Sequence, residues 1–169
     1  MQIRDAIASD AEGISAIYNH AVVHTTAIWN EAVVDAENRR QWMTARQAMA
    51  YPVLVAVDAR ETVLGFASFG DWRAFEGYRH TVEHSVYVHH GHHGQGIGRA
   101  LMLALIERAR ALGKHVMVAA IEAGNTASIR LHQQLDFEQT ALMPEVGTKF
   151  GRWLDLALLQ LRLDNRPPR

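Results

Sequence analysis

The run His92-His93-Gly94-Gln95-Gly96-Ile97-Gly98-Arg99 carries the strongest chemical signal in the chain. Glycines at 94, 96 and 98 follow an alternating apolar run, Ser85-Val86-Tyr87-Val88, and open a helix-like stretch over residues 97–112. Without side chains the backbone can approach a ligand closely and turn its N–H groups inward. The start of a helix adds unpaired donors and a partial positive charge. Diphosphate is the natural guest of such a turn. A Walker-type loop would need Lys-Ser/Thr after its last glycine, and Arg99-Ala100 stands there instead. A dinucleotide fingerprint needs G-x-G-x-x-G, which this spacing does not give.

Two further groups of residues could do chemistry. Arg73 and Arg79 flank Phe75 and Tyr78. A guanidinium fork suits a carboxylate, and the aromatics can enclose an alkyl chain. Histidines at 89, 90, 92 and 93 raise the question of a metal. A solvated, non-helical loop gives no fixed coordination geometry and no acidic ligand is interleaved, so no metal is expected. The chain has no cysteine, which excludes disulfides, thiolate catalysis and Cys-based zinc sites.

The elements that must position these residues follow from periodicity and caps. Residues 3–6 read as a first strand. Ser9-Asp10-Ala11-Glu12 reads as a capping box before Ile14, Ile17, Tyr18 and Ala21 at helical spacing. Asp35 opens a second helix over 36–49, with Trp42 and Met43 on its apolar side, and Pro52 stops it. Residues 53–57 and 63–69 form a hairpin. The loop 70–80 leads to a strand over 81–88 and the glycine turn. The helix behind it sets Ile97, Leu101, Ala104, Leu105 and Leu112 on one face, with Arg108 and Arg110 toward solvent, and ends at Gly113. A strand over 115–121, a helix from Asn125 to Leu135, a strand over 137–142, a loop over 144–151 and a last strand over 152–163 complete the chain. The order β-α-α-β-β-β-α-β-α-β-β predicts an α/β fold with a mixed central sheet flanked by helices. One domain is expected over residues 1–165, with a frayed tail over 166–169. A net charge of −1 argues against a broad nucleic-acid surface. The absence of an apolar leader or of a long apolar run predicts a cytoplasmic protein without membrane contact.

Val86-Tyr87-Val88 together with Gln95-Gly96-Ile97-Gly98-Arg99 resembles the acetyl-CoA motif of the GCN5-related N-acetyltransferases (GNAT). Asn125-Thr126-Ala127-Ser128-Ile129-Arg130-Leu131-His132, with Phe137 beyond it, is similar to that family's second cofactor motif. Four stretches resemble the phosphinothricin and methionine sulfoximine acetyltransferases within it: residues 26–31, 70–73, 81–88 and 149–155. Two positions depart from the family pattern. His93 stands where the family has Gln or Arg, and Asp136 where it has Gly before Phe137.

The resemblance implies a GNAT-like acyl-CoA N-acyltransferase fold, with acetyl-CoA as cosubstrate along Val86, Tyr87 and Val88. Diphosphate would be held by Gly94, Gln95, Gly96, Ile97, Gly98 and Arg99, with Asn125 and Ser128 as further cofactor contacts. It implies Glu83 as the general base for the acceptor amine, through a water or directly. His132 occupies the position where many relatives carry a tyrosine, which implies a general acid or stabiliser for the CoA thiolate. Arg73, Phe75, Tyr78 and Arg79, with Trp29 and Lys149, are the acceptor candidates. The expected activity is acetylation of the α-amino group of a small amino-acid analogue, in a detoxification or resistance role, by a homodimer. Two alternatives stand beside it. One is acetylation of a protein N-terminus or another small amine, and the other is a non-catalytic acetyl-CoA-binding regulator.

Overall fold

The computed structural model describes residues 1–168. Seven strands form one sheet in the order β1-β2-β3-β4-β5-β7-β6. Contacts divide the described residues into two compact units, one of residues 1–69 with 85–105, the other of residues 70–84 with 106–168. Strand β4 and helix α3 each supply residues to both. Among the described residues no helix is long and apolar enough to cross a membrane.

In the first unit, β1 (Gln2–Asp5) pairs antiparallel with β2 (Val53–Val57), and β2 with β3 (Val63–Asp71). Helices α1 (Ala11–His24) and α2 (Ala36–Ala48) follow β1. The expected capping box at Ser9 is not what starts α1. A 3-10 turn over Ala8–Asp10 precedes it, and Asp10 accepts from the backbone N–H of Ile7 while two nitrogens of Arg4 clamp its carboxylate. Asp10 occupies the start of α1 without a side-chain hydrogen bond to the helix; held by Arg4 from β1, its buried carboxylate closes the preceding turn instead. Asp35 caps α2 as the sequence predicts, accepting from Asn38. Ala6, Ala11, Ile14, Ile17, Met43, Val53, Val55, Val57, Val63 and Phe66 form the core, with Trp42 and Tyr87 packed against it.

The glycine turn is set by this unit. Its strand is the end of β4 (Thr81–Val88) and its helix the start of α3 (Ile97–Ala111). Gly65 of β3 lets them come close: a Cβ there would lie 2.9 Å from the Tyr87 carbonyl, 3.0 Å from Leu101 and 3.2 Å from Ile97. The buried face of α3 carries Ile97, Leu101, Met102, Leu105, Ile106 and Ala109. Leu112, expected on it, is exposed. The helix ends at Ala111, and Gly113, at φ +69°, turns the chain away before Leu112 can reach the core.

In the second unit, β4 pairs in parallel with β5 (Val116–Glu122) over Thr81–Glu83 against Val116–Val118. Strand β7 (Arg152–Arg162) pairs antiparallel with β5 and with β6 (Glu138–Lys149). Helix α4 (Thr126–Gln133) precedes β6. The loop expected over 144–151 is instead largely strand, the second half of β6. Pro144 sits where the register against β7 shifts between Met143 and Gly147, and Glu145 there has φ +51°. An edge strand with a bulge accommodates a proline, because the N–H it lacks is not needed by a second neighbour. Phe150 (φ +53°) and Gly151 (φ +70°) then close a two-residue hairpin turn, with Lys149 opposite Arg152. Asp136 also has a left-handed backbone, φ +65°, which accounts for the family's glycine there, and Asp tolerates it. Of the expected frayed tail, Arg166 is held by the Gly113 carbonyl and Asp164, and Arg169 lies outside the described residues.

Candidate functional site

The anion turn is built in the first unit. Gly94 has φ +75° and Gly96 φ +78°, and a Cβ added at either would meet nothing within 4 Å. Both are therefore glycine for backbone reasons, and the space beside them is open to a ligand. Ile97, 2% exposed, anchors the first turn of α3. The Ala100 N–H already donates to the Gly96 carbonyl, so the donors left for a ligand are those of the residues before it. Gln95 and Arg99 are exposed at the mouth of the turn. His93, which replaces the family's Gln or Arg, donates Nε2–H to the carbonyl of Val88 at 3.1 Å and ties the turn to the end of β4. An open left-handed turn at a helix start fits a diphosphate.

The neighbouring histidines lie face to face. His20 stacks on His90 with centroids 4.0 Å apart, and His89 on His90 at 4.4 Å. Among the described residues no group of three or more His, Asp or Glu is arranged to hold a metal ion. Burial first, and the adjacent imidazoles second, lower the pKa of His20 and His89.

Along β4, alternation places Glu83, Ser85 and Tyr87 on one face, and Val82, His84 and Val86 on the other. Glu83 is half-buried, and its backbone pairs with Val118. Tyr87 packs against Phe66 at 5.3 Å. In the same unit the Arg39 guanidinium covers the rings of Tyr18 and Trp42 at 4.5 and 5.1 Å.

The second unit holds the other candidates. Asn125 caps α4, accepting from the Ser128 N–H at 3.1 Å. His132 is 1% exposed. Its Nδ1 lies 2.7 Å from the Ser128 carbonyl and its Nε2 lies 3.0 Å from Nε2 of His84. The two rings are parallel within 4° at 4.9 Å, and the Phe137 ring meets both edge to face. Burial pushes His84 well below the ordinary imidazole range, with the neighbouring His132 adding to the effect. Burial also lowers His132, against an opposing contribution from the Ser128 carbonyl. His84 is the residue that sequence reasoning missed, although its place beside Glu83 on an alternating strand was readable.

The acceptor candidates differ in their surroundings. Arg73 stacks on Trp72 at 4.1 Å, whereas Arg79 donates to the Glu76 carbonyl and its own carbonyl accepts from Lys114. Phe75 is 79% exposed and Tyr78 44%. Trp29 donates its indole N–H to the Thr26 carbonyl. Lys149 is 2% exposed, with Nζ 4.8 Å from the Phe150 ring.

With this geometry in view, the sequence model described as "Acetyltransferase (GNAT) family" matches residues 14–137. A Salmonella typhimurium L-methionine sulfoximine/L-methionine sulfone acetyltransferase is 60% identical over 97% of this chain and 95% of its own length. A Streptomyces coelicolor phosphinothricin N-acetyltransferase is 35% identical over 93% of each chain. The solved structure of a Salmonella typhimurium protein with its cofactor acetyl-CoA superposes with a TM-score of 0.97, at 58% identity, covering 100% of this chain and 97% of that one.

The buried imidazoles predict how stability responds to acid. Because the folded state lowers the pKa of His84 and His132, the unfolded chain binds protons first as the pH falls through about 6.5. Their neutral burial is fully tolerated above that pH and costs stability below it. Melting temperature is expected to fall between pH 7.5 and pH 5.5, and to fall less steeply in His84→Phe. An equal slope in both proteins would contradict this.

Proposed function

Because the chain belongs to the GNAT acetyltransferase family, we propose that it moves the acetyl group of acetyl-CoA to the α-amino group of small amino-acid analogues. Methionine sulfoximine, methionine sulfone and phosphinothricin are the acceptors in view, after the relatives that carry those names. The observation that carries the reading is the open left-handed turn at Gly94 and Gly96 at the head of α3. Acetyl-CoA supplies an activated thioester. The chain's part is to hold the diphosphate on the backbone donors of residues 94–99 and to lay the extended arm along Val86–Val88, with Asn125 and Ser128 further along.

Glu83 is assigned the amine proton. An α-ammonium group is not nucleophilic until it loses a proton, and a half-buried carboxylate is a group that can take it. His132 is assigned to the departing thiolate. Its N–H is given to Ser128 and its Nε2 meets His84, so it serves as an acid only once the His84 contact opens and a second proton arrives at Nε2. The exposed loop with Arg73, Phe75, Tyr78 and Arg79, together with Trp29 and Lys149, is assigned to the acceptor. Its bare aromatic rings are a surface that a substrate's alkyl chain can cover.

A homodimer is part of the same proposal. Leu142, Met143, Val146, Phe150 and Trp153, on and beside edge strand β6, are all exposed, and an apolar edge of this kind is protected by a second copy. Acetyl-CoA is an intracellular metabolite, which supports a cytoplasmic setting. N-acetylation removes the charge by which an amino-acid analogue is recognised, which supports a detoxifying role.

Two experiments test this. In a CoA-release assay the three analogues should be acetylated far faster than lysine or a peptide N-terminus, and equal rates on peptides would overturn the acceptor assignment. Glu83→Gln should lower kcat/KM by about 10²–10⁴-fold, with unchanged acetyl-CoA binding and partial recovery at alkaline pH, where more acceptor arrives deprotonated. Wild-type activity across the pH range in that variant would remove Glu83 from the role.

A further inference from the structure

Arg4, Arg40, Arg110 and Arg166 each pair with a carboxylate. Arg39, on α2, pairs with none among the described residues. Its guanidinium lies on the ring faces of Tyr18 and Trp42 instead, at 4.5 and 5.1 Å from their centroids. Nε and Nη2 donate to Oδ1 of the neighbouring Asn38 at 3.1 and 2.6 Å. One edge of the fork is thereby spent, and Nη1 keeps its hydrogens. The one buried side-chain nitrogen or oxygen without a partner among the described residues is Nδ1 of His84, so Nη1 of Arg39 reaches solvent. A second donor stands beside it. The Tyr18 hydroxyl accepts from Nδ2 of Asn30 at 2.8 Å, and its own O–H has still to be given.

We propose that Arg39 recognises the α-carboxylate of the acceptor through Nη1, with the Tyr18 hydroxyl beside it. The proposal rests on the functional reading, in which the acceptor is an amino acid. Arg39 is half-buried, and burial lowers its pKa, with Tyr18 and Tyr87 opposing. A cation held in that way without an anion is costly, and a carboxylate offsets the cost. Arg73 and Arg79 are exposed, where such a pair is worth less. Stacking on two aromatic faces fixes the plane of the guanidinium, so its open edge is aimed before the ligand arrives. Arg39 is also close enough to Tyr87 for the two to interact, and Tyr87 stands between Val86 and Val88, which are assigned to the extended arm of acetyl-CoA. An α-amino group is one carbon from its carboxylate, so a carboxylate held beside this strand keeps the amine beside it as well.

Arg39→Gln removes the charge and keeps the stem and an amide donor. Methionine sulfone is compared with its decarboxylated amine, the same molecule without the carboxylate. Wild-type kcat/KM should favour methionine sulfone. In Arg39→Gln that preference should fall about 10- to 100-fold, the worth of a hydrogen bond to a charged group, through KM for methionine sulfone and with KM for acetyl-CoA unchanged. Differences in basicity between the two acceptors cancel when the proteins are compared. A variant that slows both acceptors alike would make Arg39 a packing residue and overturn the proposal. So would one that raises KM for acetyl-CoA and leaves the preference intact, since the anion would then belong to the cofactor. Calorimetric titration of methionine sulfone into CoA-saturated protein needs no turnover. The variant should bind about 10- to 100-fold more weakly than the wild type, and equal affinity would overturn the proposal. Wild-type protein that binds methionine sulfone through Arg39 yet acetylates neither acceptor would overturn the functional reading alone. Normal acetylation with an unchanged preference in the variant would overturn this proposal alone, and wild-type protein that neither binds nor acetylates would overturn both.

Discussion

A left-handed backbone at Gly94 and Gly96 is the constraint on which the strand-turn-helix of the first unit depends. Only a residue without a Cβ adopts φ near +75° cheaply twice within three residues, and those two angles point the chain from the end of β4 into the first turn of α3. The rest of the unit holds this corner still. Gly65 admits Ile97 and Leu101 close to β3 and the Tyr87 carbonyl, and His93 closes the loop back onto Val88.

The histidines divide by their surroundings. Those around the turn stack on one another in partly solvated positions, and their mutual repulsion adds to burial in keeping His20 and His89 neutral. His84 and His132 are removed from water, and there the hydrogen-bond partners decide where each proton sits. The same side-chain chemistry is thus a soft surface feature in one unit and a fixed polar contact in the other.

Much of this was legible in the sequence because local signals carried it. The order of elements, the hairpin over 53–69, the Asp35 and Asn125 caps and the strand-turn-helix at the glycines all follow from periodicity and caps, and the structure has them. The failures share a cause, since each depends on what lies across the fold. Pro144 reads as a strand breaker until β6 is known to be the edge of the sheet. Ser9 reads as the cap until β1 is seen to bring Arg4 to Asp10. Leu112 reads as core until the helix is seen to end one residue earlier. His84 reads as an ordinary strand residue because its partner lies 48 residues away on α4. Within the candidate site, the glycine turn was readable because it is a contiguous run. Arg73 stacks on Trp72 and Arg79 donates to the Glu76 carbonyl, contacts that no local sequence signal announced.

Calorimetric titration of acetyl-CoA into the wild-type protein and into Gly96→Val tests the central claim most directly. A valine at φ +78° is strained and places its side chain where the structure leaves open space beside the helix start. Saturable binding to the wild type and no measurable heat with the variant, at matching circular dichroism, is the result this account predicts. Equal affinity in the two proteins would contradict it.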